Sequence, residues 1–366
     1  MKKKIAVIFG TRPEAIKMCP LIKRLKLEKE FETVVIVTGQ HREMLDQVLN
    51  IFEIIPDIDM NIMCENQTLF SITVAILSKI ENILTQEKPD VVLVHGDTTT
   101  AYATALACFY KKIDVGHVEA GLRTFNMDSP YPEEFNRQSI SLISKYNFAP
   151  TKQAYDNLIR QKVLGKVWIT GNTVIDALKT TVKDNYYNEE LEWASDSRLI
   201  FLTAHRRENI GVKIYGIFNA IKKIAIEYKD VKIIYPVHMN PKLRKVAYNM
   251  LGGIKNIHLI NPVDFVTCHN IMAHSYLIMT DSGGIQEEAP SLRKPVLVLR
   301  DTTERPEGIE AGVAKIVGTD EINIFNTVKK LLDNNIEYEK MVAEKNPYGT
   351  GCASEKIVEI LKHELK

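Results

Sequence analysis

Short β-branched runs alternate with longer amphipathic stretches along the whole chain. In the first half, apolar runs at residues 4–9, 33–38, 91–95, 115–118, 146–149 and 167–170 have the length and composition of strands. Between them, residues 13–27, 69–84, 98–109 and 133–143 repeat apolar positions at the spacing of a helix face. Pro13 and Pro132 sit where first helical residues fall, with acids just behind them; proline is tolerated there because that N–H has no helical partner. The polar stretch 183–197 carries little apolar periodicity. Strands then resume at 199–203, 231–236, 257–260, 276–279, 295–299 and 314–317. Such alternation builds parallel sheets wrapped by helices. The predicted fold class is α/β, with two Rossmann-like doubly wound domains facing a central cleft. We expect an N-terminal domain over residues 1–170, a connector or hinge at 171–197 and a second domain over 198–345. Residues 346–366 are expected to form a terminal helix packing back on the first domain.

Composition narrows the function classes. At 366 residues, with 45% hydrophobic and 25% charged positions, the chain has the make-up of a soluble globular protein of about two domains. A net charge of +1, with Lys2-Lys3-Lys4 as the only basic cluster, argues against a nucleic-acid partner. No apolar run has membrane-spanning length, and the N-terminus enters a strand pattern at once, without a signal-peptide cleavage region. The five cysteines are scattered, which disfavours a disulfide framework and makes a reducing cytoplasm the simplest location. None of the nine histidines has zinc-protease spacing, so the expected site holds no metal and no cofactor.

Ligands of doubly wound sheets sit beyond the carboxyl ends of the strands, and polar clusters gather at those positions here. The first strand opens onto Gly10-Thr11-Arg12-Pro13-Glu14, with Lys17 one turn on; Arg12 suits either a diphosphate or a pair with Glu14. Asp97 follows the strand at 91–95 and Glu119 the strand at 115–118, while Glu133 opens a helix. Asp97 alone also suits a helix N-cap, and Glu133 alone a first-turn acid. Converging carboxylates raise one another's proton affinity, as an acid/base set requires. In the second half, His205-Arg206-Arg207 forms a cationic corner after residues 199–203. Asp281-Ser282-Gly283-Gly284 is a strand–glycine–helix corner suited to phosphate, with Glu287 and Glu288 one turn in, placed to hold ribose hydroxyls. Arg300 and Arg305 follow the next strand.

Together, GTRPEAIKM, GDTT, HVEAGLRT, the PEE…NR segment, HRREN and DSGGIQEEAPSLRKPVLVLRDTTERPEG resemble the non-hydrolysing UDP-N-acetylglucosamine 2-epimerases, nearly end to end. That resemblance implies a glycosyltransferase-B-type fold, a homodimer, no redox cofactor, and interconversion of UDP-GlcNAc and UDP-ManNAc for surface polysaccharide or cell-wall polymers. It implies that Asp97, Glu119, Glu133 and His205 are catalytic. Arg12 and Lys17 would hold the nucleotide-sugar, Ser282, Gly283 and Gly284 the diphosphate and Glu288 the ribose, with Arg305 nearby. It further implies a second, activating UDP-GlcNAc at Gln40, His41, Gln67, Arg207 and His238. Two positions depart from the family pattern. Cys268 stands where relatives place an aromatic beside the uracil, and Asn66 where some regulated members carry arginine.

The chemistry explains the residue set. A C2 proton with no adjacent carbonyl is too weakly acidic for direct removal by a carboxylate. Expelling UDP from C1 makes it acidic and yields a 2-acetamidoglucal, to which UDP re-adds with protonation from the other face. Trapping the glucal calls for water exclusion, hence an expected domain closure about the connector. A glycosyltransferase of the same architecture needs only one base, and a nucleotide-sugar sensor needs none; neither uses three carboxylates. A modified UDP-acetamido sugar remains an alternative substrate.

Overall fold

The computed structural model describes residues 2–40, 42–64, 66–342 and 346–366, and at Arg207 the backbone only. The chain forms two compact units, Met1–Ala177 with Tyr348–Lys366, and Leu178–Pro347. The first is built on seven strands: β1 (Lys3–Phe9), β2 (Phe31–Val37), β3 (Ile58–Asp59), β4 (Val91–His95), β5 (Asp114–Val118), β6 (Tyr146–Ala149) and β7 (Lys166–Ile169). They lie in the order β3-β2-β1-β4-β5-β6-β7. The second has six: β8 (Arg198–Thr203), β9 (Val231–Pro236), β10 (Ile257–Ile260), β11 (Leu277–Thr280), β12 (Val296–Val298) and β13 (Ala314–Ile316), in the order β10-β9-β8-β11-β12-β13. Every pairing in both sheets is parallel.

Parallel strands are joined by helices that cover both faces, so the central ones read as unbroken apolar runs; β4, β11 and β12 are buried throughout. Against the first sheet, helix Leu69–Glu87 buries Ile72, Ile76, Ile80 and Leu84, a stripe at four-residue spacing. Its neighbour Thr99–Lys111 packs through Ala101, Ala105 and Cys108, small residues that permit close approach. In the second unit, Ile217, Ile221 and Ile224 of helix Val212–Glu227 join Val328 and Leu331 over β8 and β9. Each buried aliphatic side chain there contributes roughly 1.5–3 kcal/mol. The β3 strand escapes the sequence pattern because two residues cannot show a period; it is held by Ile36–Ile58 and Val37–Asp59 pairing. Pro132 differs from its expected place too, standing one residue before the helix Glu133–Ile143.

The chain leaves the first unit within helix Thr173–Thr181 and returns at Tyr348. The last helix, Ala353–Glu364, packs against Arg12–Lys26, and its Lys362 pairs with Glu28. Asp176 accepts from the N–H groups of Ala353 (3.1 Å) and Ser354 (2.8 Å), capping that helix from across the chain. Among the described residues no helix is long and apolar enough to cross a membrane. Strand order reverses between β1 and β4 and between β8 and β11. The candidate chemistry is carried by the loops leaving those strands and their neighbours, as expected for open α/β sheets.

Candidate active site

In the first unit the loop after β1 is held shut by Glu14, which is 1% exposed. One of its oxygens accepts from the N–H of Gly10 (3.0 Å) and of Thr11 (2.8 Å) and from the Thr11 hydroxyl (2.8 Å). The other accepts from the hydroxyl of Thr98 at 2.7 Å, joining the corners after β1 and β4. Burial pushes the Glu14 carboxyl above its ordinary value despite these donors. The capping role after β4 falls to Thr98, whose hydroxyl accepts from the Ala101 N–H at 3.0 Å. The Asp97 side chain is therefore left for the site.

Asp97 lies 3.6 Å from the guanidinium of Arg137, and its backbone carbonyl accepts from Asn136 at 2.8 Å. Burial raises its carboxyl to about 6; Arg137 opposes the shift, while Glu119 and Glu133 add to it. Glu133 is thus electrostatically in reach of Asp97, and its Oε2 is buried. Arg137 is itself anchored by Glu134 at 2.9 Å, a fully buried carboxylate that also accepts from the N–H groups of Thr124 and Phe125. Glu119, at the end of β5, has a left-handed backbone (φ 61°). Its Oε2 pairs with Lys17, accepts from Asn172 at 3.0 Å and lies 3.7 Å from His95 Nε2. Burial lowers His95 to about 4 and His117 to about 3, so both rings are neutral near pH 7. His117 donates from Nε2 to the Gly96 carbonyl at 2.7 Å, bracing the turn that carries Asp97.

In the second unit the buried Asp281 clamps the loop after β8 to the end of β11. One oxygen accepts from the N–H groups of His205 and Arg206, both at 2.8 Å, and from Asn209 at 3.0 Å. The other lies 3.2 Å from His205 Nδ1. Burial depresses the His205 pKa, Asp281 opposing and His238 and Arg206 reinforcing. The His205 ring stacks on that of His238, with centroids 5.8 Å apart. After β11, Ser282 precedes the short helix Gly283–Glu288. Arg305 lies against Gly283: a Cβ there would come 3.3 Å from the guanidinium carbon, and the guanidinium is fixed by Glu287 at 2.8 Å. Gln286 ties the same corner to Thr303 at 2.6 Å. Glu288 lies 3.4 Å from His269 Nε2, whose ring is oriented by Thr181 at Nδ1 (2.7 Å). Glu208 pairs with Arg300 at 2.7 Å.

The structure thus brings Lys17, Asp97, Glu119 and Glu133 to one corner, and His205, Ser282, Gly283, Gly284 and Arg305 to the corners of the second sheet. Arg12 is half-buried in the first turn of its helix, where Glu14 is already committed to the backbone. Of the residues implied for an activator, Gln67 donates to the Gln40 carbonyl at 3.4 Å, and Gln40 accepts from Thr100 at 3.0 Å. His238 is exposed beside His205. His41 and the Arg207 side chain lie outside the described residues. Cys268 is half-buried on helix Phe265–His274, and Phe265, one turn earlier, meets His269 edge-on at 5.8 Å. Sequence reasoning passed over Arg137, Asn172, Asp281 and His269 as individual site residues. Asp281 directly follows the end of β11 and Asn172 stands three residues beyond β7, so inspecting every strand end brings both into view; Arg137 closes the PEE…NR segment, and nothing local marks His269.

A profile for the UDP-N-acetylglucosamine 2-epimerase family matches residues 23–362. The UDP-N-acetylglucosamine 2-epimerase of Bacillus subtilis is 54% identical over 363 residues, covering 99% of this chain and 96% of its own length. The Neisseria meningitidis UDP-GlcNAc 2-epimerase, solved bound to UDP-GlcNAc, superposes with a TM-score of 0.88 at 48% identity, covering 98% of this chain and all of the other. A glycosyltransferase of kitacinnamycin, at 11% identity and a TM-score of 0.68, shares the fold alone, placing the two parallel-sheet units in the glycosyltransferase-B class. With end-to-end identity near half and the same two-sheet architecture, the chain belongs to the UDP-N-acetylglucosamine 2-epimerase family of isomerases.

Proposed function

We propose that the enzyme interconverts UDP-N-acetylglucosamine and UDP-N-acetylmannosamine by eliminating and re-adding UDP. The observation that carries this reading is the cluster of Asp97, Glu119 and Glu133 around Lys17 and Arg137, with Asp97 titrating near 6. A carboxylate removes the C2 proton as the C1–O bond breaks and its electron pair departs on UDP, leaving a C1–C2 double bond. In the return step the diphosphate oxygen attacks C1, and a proton is delivered to C2 on the opposite face. One group must therefore accept a proton while another holds one, and a carboxyl near 6 beside two further carboxyl groups meets both needs. His205, in the loop leaving β8 and beside Asp281, helps hold the departing diphosphate. The Ser282–Gly284 backbone and Arg305 provide further donors and the positive charge. Arg12 and Lys17 orient the nucleotide-sugar, and Glu288, steadied by His269, takes the ribose hydroxyls.

NMR of the enzyme with UDP-GlcNAc in heavy water tests this reading. Deuterium at C2 together with UDP-ManNAc supports it; free ManNAc plus UDP indicates hydrolysis, and unlabelled, intact UDP-GlcNAc refutes the substrate assignment. We assign a second UDP-GlcNAc to Gln40, His41, Gln67, Arg207 and His238, which predicts sigmoidal velocity against UDP-GlcNAc. Its product, UDP-ManNAc, would feed surface polymers. The scattered free cysteines fit a cytoplasmic enzyme. The protein is further proposed to be a homodimer, because adjacent helices of the first unit leave Phe70 (86%), Val74 (64%), Tyr110 (69%) and Leu142 (64%) exposed.

A further inference from the structure

Asn172 is 3% exposed, and both its side-chain amide and its backbone N–H are engaged. Its Nδ2 donates to Glu119 Oε2 at 3.0 Å, its Oδ1 accepts from the Val174 N–H at 3.0 Å, and its own N–H donates to the Tyr348 carbonyl at 2.8 Å. Val174 lies in the first turn of the helix through which the chain leaves the first unit, and Tyr348 is where the chain returns. The two passing segments touch through glycines. A Cβ on Gly349 (φ 115°) would stand 3.2 Å from the Gly171 Cα, and one on Gly171 (φ 92°) 3.3 Å from the Tyr348 carbonyl oxygen. The two backbones approach closely there, and Asn172 hydrogen-bonds to both segments.

We propose that Asn172 is a positioning residue that ties the Glu119 carboxylate to this crossover, so that the geometry of the crossover sets the geometry of Glu119. The inference rests on the reading of Glu119 as an acid/base group. Glu119 holds a left-handed backbone that a non-glycine residue adopts only where its surroundings impose it. Its Oε2 is approached by Lys17 from the first helix, His95 from β4 and Asn172 from the crossover, while Oε1 lies on the Gly96 side, 3.8 Å from where a Cβ would stand. Asp97 and the buried His117 are further titratable groups facing it. The Asn172 amide offers a donor to Glu119 and an acceptor to Val174 from two separate atoms. Aspartate keeps the shape and the acceptor but turns the donor into a second carboxylate.

The test is Asn172→Asp, assayed by C2 deuterium exchange on UDP-GlcNAc alongside Glu119→Gln and the double variant. We expect kcat to fall about 10- to 100-fold, with KM changed less than about threefold. The acid limb of the kcat profile should move to higher pH, because a lost donor and an added like charge both favour the protonated carboxyl. In the Glu119→Gln background the same substitution should cost at most about twofold, because the group it acts through is gone. Asn172→Ser, which shortens the donor without adding charge, should lower kcat without moving the acid limb as far. Additive losses, or a kcat loss that tracks melting temperature with an unmoved pH limb, would overturn the proposal. If Glu119→Gln kept full exchange, or the wild type gave none, the acid/base reading itself would fail, an outcome distinct from a silent Asn172.

Discussion

Asp97 carries a cost in stability at the position the proposed chemistry would use. Its carboxyl titrates near 6 in the folded protein against an ordinary value of 3.8, burial outweighing the attraction of Arg137. The folded state therefore holds this proton more tightly than the unfolded chain does. The cost of the ionised form is fully present above pH 6 and is relieved as pH falls through 6 toward 4. The shift corresponds to about 3 kcal/mol at most. Because the side chain keeps 29% exposure, roughly 1–2 kcal/mol survives screening. Asp97→Asn should thus raise the melting temperature at pH 7.5, with the gain shrinking by pH 4.5, while exchange at C2 falls at least about 1,000-fold. Thermal melts at the two pH values, read beside the deuterium assay, check both halves. A variant destabilised at pH 7.5 would refute this account of Asp97.

At the scale of elements, the second unit's corner depends on two strand ends being held together. Asp281, on the turn leaving β11, fixes the loop leaving β8 through three donors to one oxygen. Removing a buried carboxylate strands those donors, so Asp281→Ala should cost about 2–4 kcal/mol in chemical denaturation and displace His205 with the loop. The glycine corner answers to a different constraint. Gly283 is favoured by approach distance, since a methyl group would press on the Arg305 guanidinium that pairs with Glu287. Gly283→Ala is accordingly expected to weaken UDP binding about tenfold by calorimetry, with a melting temperature within about 2 °C of the parent.

For the whole molecule, the exposed apolar residues on the outer helices of the first unit carry the assembly prediction. If these helices bury one another in a homodimer, Val74→Glu combined with Tyr110→Glu should yield monomers in sedimentation velocity at micromolar concentration. Neither residue takes part in the catalytic corner, so the monomer should keep its fold by circular dichroism. A dimer persisting in that variant would move the interface elsewhere.

Strand and helix positions were legible in the sequence because periodicity is a local property: the unbroken apolar run of β4 and the four-residue stripe from Ile72 to Leu84 each report their own element. The strand-end rule was equally legible, since a polar residue following an apolar run needs no partner to be noticed. That is how Asp97, Glu119, His205 and Ser282 stood out, and the length of the DSGGIQEE segment made the family resemblance specific. What each residue does with its neighbours was not legible. Arg12 and Glu14 stand two apart in sequence, yet Glu14 is taken up by backbone N–H groups and a threonine 84 residues away. Likewise, Glu119 meets Lys17 from 102 residues before it and Asn172 from 53 after it. These pairings follow from the order of strands within each sheet, in which β1 lies between β2 and β4 and β11 lies against β8. Hydrophobic patterning therefore determined the elements and marked the chemistry at their ends. Only the tertiary structure decided which donors meet which carboxylates, because proton affinity depends on burial and on charges a few ångströms away in space, whatever their separation along the chain.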